Sequence, residues 1–134
     1  MIGSSLLRVR QVMKTSFDMV DGLATIQQAL ATMKHVETKC LIVDKRHEDD
    51  EYGMLLLSDI ARHVVAENRS PGRVNVYEVM AKPVITVDPD MDIRYCARLF
   101  DRFRLSRAPV VEDGRVIGIV SLTDIVLKGL LAED

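Results

Sequence analysis

The sequence has no tryptophan and only 4% aromatic residues, too few to build a surface on which nucleic-acid bases stack. Charge of one sign is missing as well. Eighteen Lys and Arg stand against 20 Asp and Glu, a formal net charge of -2, so no basic field marks a nucleic-acid partner. No stretch approaches the ~18 apolar residues of a membrane span. Met1 to Leu7 lacks the basic flank and long apolar core of a signal peptide, and a cytoplasmic location with no membrane partner is expected. The two cysteines, Cys40 and Cys96, show neither CxxC nor Cys/His spacing and are read as buried thiols. His35 and His63 have no ligand-type residue at metal spacing and are read as helix-surface residues, so no metal is expected. GxGxxG, P-loop, GxSxG and HExxH motifs are absent, and no nucleophile stands at a recognisable spacing from a base, so no enzyme is predicted. What remains is 48% hydrophobic and 28% charged, the profile of a compact soluble domain that needs no metal or disulfide to fold.

An internal repeat organises that domain. Val9-Arg10-Gln11-Val12-Met13 returns as Val76-Tyr77-Glu78-Val79-Met80, and at the same offset Val20-Asp21 matches Val87-Asp88 and Ile26 matches Ile93. Apolar spacing repeats too. Ile26, Ala29, Leu30, Met33 and Val36 form one helical stripe, and Ile93, Cys96, Ala97, Phe100 and Phe103 form another at the same intervals. Thr25 and Asp92 stand just ahead of these stripes as N-caps. Phe17, Phe100 and Phe103 are core candidates.

Short apolar runs at Cys40 to Val43, Gly53 to Leu57, Ala108 to Val111 and Val116 to Val120 read as two strand pairs. Asp113-Gly114 is a two-residue hairpin signal, because a type I′ turn needs positive φ at both positions. The corresponding connector, Lys45 to Tyr52, is longer and carries the charged run His47 to Glu51, read as a solvated loop. Ser58-Asp59-Ile60 and Thr123-Asp124-Ile125 each start a second helix, with Ser58 and Thr123 as plausible caps. The predicted class is α/β (α+β), with the order strand, helix, strand, strand, helix occurring twice. Residues 9–66 form the first motif, 67–75 a breaker-rich linker and 76–131 the second motif. Halves of this size are marginal alone, so pseudo-two-fold packing with paired clefts is expected.

The whole pattern resembles a tandem CBS-domain pair, or Bateman module. The resemblance runs from Val9 to about Leu130 and is sharpest in Arg107-Ala108-Pro109-Val110-Val111-Glu112-Asp113-Gly114 and Val116-Ile117-Gly118-Ile119-Val120-Ser121-Leu122-Thr123-Asp124-Ile125. It implies a non-catalytic regulatory module, commonly a homodimer, that senses an adenosine-containing ligand such as AMP, ADP, ATP or S-adenosylmethionine. No cofactor is required, and a still unknown protein partner would read the signal.

The resemblance also assigns residues. Asp124 would take ribose hydroxyls, with Ser121 and Thr123 on ribose or phosphate, Ile119 beside them and Arg107 near the phosphate path; Ser16, Phe17, Asp18 and Lys39 would lie on the adenine side. A carboxylate can accept from two adjacent hydroxyls, and hydroxyls at a helix start suit a phosphate. Ser/Thr-Asp before an apolar helix is equally a simple cap with an acidic first turn. A second, weaker site would use Asp59, Ser58, Val84, Ile85 and Thr86, weaker because Leu56 stands where Ser121 stands in the other repeat. The alternative function is a dimerisation or assembly module whose ligand clefts are vestigial.

Overall fold

The computed structural model describes residues 7–131, which divide into two compact units. One is the continuous stretch Ser16–Val84. The other joins residues 7–15 with residues 85–131.

In the continuous unit, β1 (Met19–Val20) lies parallel to β2 (Cys40–Val43), and β2 pairs antiparallel with β3 (Gly53–Leu56). Helix α2 (Ile26–Thr32) connects β1 to β2. Thr25 caps it as predicted, its hydroxyl accepting from the Gln28 N–H at 3.0 Å while the Gln28 side chain returns the bond. The helix stops earlier than the apolar stripe suggests. Asp18 explains the stop: its carboxylate accepts the backbone N–H groups of Lys34 and His35 at 2.9 and 2.8 Å, drawing the chain out of helical geometry. Val36 therefore falls in a 3-10 turn, 63% exposed rather than in the core, and Leu30 is exposed as well. His35, placed in this connection, is not on a helix surface. Helix α3 (Leu57–Ile60) continues through one π-helical turn, Ala61–Val65.

The second unit repeats the plan. Val87 makes a single parallel bridge to Val110 where the first repeat has β1. Helix α4 (Ile93–Phe103) is capped by Asp92, which accepts from the Arg94 N–H at 2.8 Å. Strands β4 (Arg107–Glu112) and β5 (Arg115–Ser121) form a hairpin turning on Asp113 and Gly114, whose φ values of 52 and 77 give the type I′ geometry foreseen. Helix α5 (Leu122–Leu131) follows directly. Phe100 is fully buried, but Phe103, at the end of α4 where the stripe has rotated outward, is 50% exposed and not core; Phe17 is half-buried.

The lead-in segments are exchanged with respect to the sequence repeats. Helix α1 (Val9–Val12), which opens the first repeat, bonds to the second: Val9 and Arg10 N–H donate to the carbonyls of Met91 and Pro89. The 3-10 turn Val76–Glu78, which opens the second repeat, bonds to the first in the same way, with Val76 and Tyr77 N–H donating to Ala24 and Gly22. Val9 and Val12 accordingly fill the core around Phe100 and Ile125, while Val76 and Val79 fill the core around Ile26 and Leu41. Burial of each such side chain contributes roughly 1.5–3 kcal/mol.

Candidate functional site

Strand β5 runs straight into α5, and the junction gathers the polar groups. Ser121 is the N-cap: its hydroxyl oxygen accepts the Asp124 N–H at 3.1 Å, and its O–H donates to Asp124 Oδ2 at 3.1 Å. The cap is thus Ser121 and not Thr123, which is exposed within the first turn. Ser58 is likewise exposed inside α3, whose N-cap position is Leu56 with no side-chain bond. Two residues separate expectation from structure because both helices begin immediately after their strands.

Asp124 is a buried carboxylate, its side chain only 8% exposed. Lys14 compensates it, with Nζ at 2.6 Å from Oδ2. Lys128, one turn along α5, stands 4.0 Å from Oδ1 and donates to the Val12 carbonyl at 3.2 Å. The backbone of Lys14 is held by two bonds to Ile119, N–H to carbonyl in both directions at 2.9 Å. Arg107 lies directly across the β4–β5 ladder from Ser121. The first-turn amides are largely committed: Leu122 N–H donates to the Ser106 carbonyl and Asp124 N–H to Ser121. Any anion held here therefore depends on side chains more than on the helix start.

Lys14 had no signal of its own in the sequence, lying 110 residues from Asp124. Only the repeat could have pointed to it. At the 67-residue offset its counterpart is Ala81, which makes the matching backbone pair with Met54. The corresponding junction of the first repeat lacks the ammonium and the capping hydroxyl at these two positions: Ala81 replaces Lys14, and Leu56 replaces Ser121. Asp59 is more open than Asp124, 21% exposed, and pairs with Arg62 at 3.2 Å.

Among the remaining residues singled out, Ser16, Phe17, Asp18 and Lys39 belong to the continuous unit, as do Ser58, Asp59 and Val84; Ile85 and Thr86 belong to the unit of Asp124. Phe17 and Asp18 border an open groove of about 630 Å³ with Met33 and His35. Asp18 spends its carboxylate on the backbone there. Lys39 is exposed in left-handed geometry, φ 59, and its carbonyl accepts the Leu57 N–H. Ile85 and Thr86 are exposed.

Reactive chemistry is poorly supplied. Both cysteines are buried, and burial pushes the Cys96 thiol up to about 11. Among the described residues no cluster of three or more His, Cys, Asp or Glu could hold a metal ion. No described helix is long and apolar enough to cross a membrane.

Comparison with known proteins gives consistent matches. The CBS-domain family model matches residues 76–129. The hexameric CBS-CP12 protein from bloom-forming cyanobacteria is 37% identical, superposes with a TM-score of 0.88 and aligns with 94% of this chain and 73% of its own. The uncharacterized protein MK0525 of Methanopyrus kandleri is 30% identical over 112 residues, 81% of this chain. The chain spans only 56% of that relative's length. The CBS domain pair of protein MJ0100, crystallised with 5-methylthioadenosine and S-adenosyl-L-methionine, shares the fold at a TM-score of 0.78 with 22% identity, covering 96% of this chain and all of that one.

Proposed function

The chain belongs to the CBS-domain family as a tandem pair, and from that premise we propose that it is a regulatory, non-catalytic module that binds an adenosine-containing ligand at Asp124. The observation that carries the proposal is the buried Asp124–Ser121 pair at the start of α5. A carboxylate there can accept from the two vicinal hydroxyls of a ribose, and Lys14, Lys128 and Arg107 supply positive charge for phosphate. AMP, ADP and ATP are the ligands this charge favours within the adenosine class. Occupancy acts as a signal only through differential affinity for two states of the module, which a protein partner then reads. The binding of 5-methylthioadenosine and S-adenosyl-L-methionine by the MJ0100 pair supports the ligand class.

A second reading, an assembly module, is favoured by a specific observation. Lys14 and Ser121 already satisfy Asp124 Oδ2 without a ligand, so the arrangement is self-sufficient as structure. The exposed apolar residues Leu122, Val126, Leu127 and Leu130 on α5 offer a surface for a homodimer.

Thermal unfolding with AMP, ADP, ATP, S-adenosylmethionine, NADH and cyclic di-AMP separates the two. A ligand at ~100 times its Kd stabilises the fold by about 2.7 kcal/mol, which is roughly a 10 °C rise in Tm for a chain of this size. The sensor reading requires such a shift and its loss in Asp124→Ala. No shift with any ligand, in protein free of bound nucleotide and of unchanged oligomeric mass, leaves the assembly reading.

A further inference from the structure

Two cations meet Asp124 within its own unit, Lys14 at 2.6 Å from Oδ2 and Lys128 at 4.0 Å from Oδ1, while Arg107 stands across the ladder from Ser121 with its Nε donating to the Ser106 hydroxyl at 3.2 Å. A ribose diol that engages both oxygens of this carboxylate needs an acceptor position on Oδ2, which is already held by the Lys14 ammonium and the Ser121 hydroxyl, whereas Oδ1 has only Lys128 at 4.0 Å. Binding in that bidentate mode is an exchange. The displaced ammonium cannot travel far, because two backbone bonds to Ile119 clamp Lys14 and leave only its side chain to pivot. It has to find another anion close by or stay unpaired in a half-buried position, 29% exposed. Two of the first-turn amides do not compete for that anion, since Leu122 and Asp124 N–H are spent on Ser106 and Ser121.

We propose that Lys14 is the specificity-determining residue of the Asp124 site, admitting adenosine ligands that carry a phosphate and turning away those that do not. A phosphate supplies the counter-charge that the displaced ammonium needs. Neutral adenosine supplies none, and S-adenosylmethionine brings a sulfonium and an ammonium against a single carboxylate, adding like charge to that of Lys14 and Lys128. The repeat gives an internal control. Where Lys14 and Ser121 are present they occur together, and where they are absent Ala81 and Leu56 replace both, leaving Asp59 without this exchange.

The inference rests on Asp124 as the ribose-binding residue, and the test keeps the two apart. Calorimetric titration of AMP, ADP, adenosine and S-adenosylmethionine is made into the wild-type chain, Lys14→Met and Lys14→Arg. Wild type and Lys14→Arg are expected to bind AMP at least ~10-fold more tightly than adenosine, with a preference that shrinks as salt rises. Lys14→Met is expected to bring the two within about threefold, by weakening AMP and improving adenosine. Should Lys14→Met fail to fold, the wild-type ratio and its salt dependence decide alone, and adenosine bound as tightly as AMP overturns the proposal. Equal preference in wild type and Lys14→Met overturns the role of Lys14 while leaving Asp124 in place. No binding of any ligand to any of the proteins overturns both.

Discussion

A Cβ built on Gly118 would stand 2.6 Å from the carbonyl oxygen of Lys14, a backbone atom fixed by its pairing with Ile119. Glycine at 118 is what lets the lead-in segment lie on β5, and so what brings the Lys14 side chain within reach of Asp124. The corresponding glycine, Gly53, has the Ala81 carbonyl at 3.1 Å, a looser approach. Gly118→Ala is expected to destabilise by about 1–3 kcal/mol through overpacking, and Gly53→Ala by less. Urea denaturation of the two variants measures the order, and an equal or reversed order contradicts the clamp.

Capping is testable at single-residue resolution. Ser121→Ala removes the acceptor of the Asp124 N–H and a donor to its carboxylate, and should cost about 1–2 kcal/mol. Thr123→Ala and Ser58→Ala, exposed inside their first turns, should stay within about 0.5 kcal/mol of wild type. Chemical denaturation of the three would reject the assignment if Thr123 proved the costly one.

Acid sensitivity follows from Asp92. Its bonds to the Arg94 guanidinium hold the carboxyl down to about 2, below its ordinary value, with Lys82 lowering Asp50 by the same kind of contact. A depressed carboxylate contributes its stability in full above the unfolded value near 4 and loses it as pH falls through that value towards 2. Unfolding midpoints are expected to fall across that window. Asp92→Asn keeps a capping oxygen while removing the charge, so it should lower stability at pH 7 and flatten the acid limb, the two proteins converging towards pH 2; an unchanged limb removes Asp92 from the account.

Thiol chemistry should be silent in the native state. Cys40 and Cys96 are fully buried and the Cys96 thiolate is disfavoured, so a disulfide-exchange reagent at pH 8 should react with neither until the chain is denatured, when both titrate. Rapid native reaction of either would show that its core opens.

The exchanged lead-ins predict which fragment folds. Residues 16–84 retain Val76 and Val79 in their core, whereas residues 9–66 lose both and carry Val9 and Val12 without the surfaces those side chains cover. Circular dichroism of the two fragments should show the first to be the more structured.

Much of this was legible beforehand. The repeat offset, the paired strands, the Thr25 and Asp92 caps and the Asp113-Gly114 turn are local signals, and each is where the spacing put it. The exchange of lead-ins was not, because Val9–Val12 and Val76–Val79 present the same apolar spacing and nothing local says which core either will enter. The shortening of α2 depended on Asp18, a residue whose carboxylate acts 16 and 17 positions away. Lys14 was invisible for a related reason: a lysine next to Val-Met carries no message until folding sets Asp124 against it.

The Lys14–Asp124 contact also has a place in time. It closes a loop of 110 positions, a stretch of sequence that includes the whole of Ser16–Val84. Contacts of such separation repay their loop-closure entropy late, after shorter-range pairings have compacted the chain. The continuous unit, built from nearer partners, can therefore collapse first, and the polar junction at the head of α5 is assembled among the last.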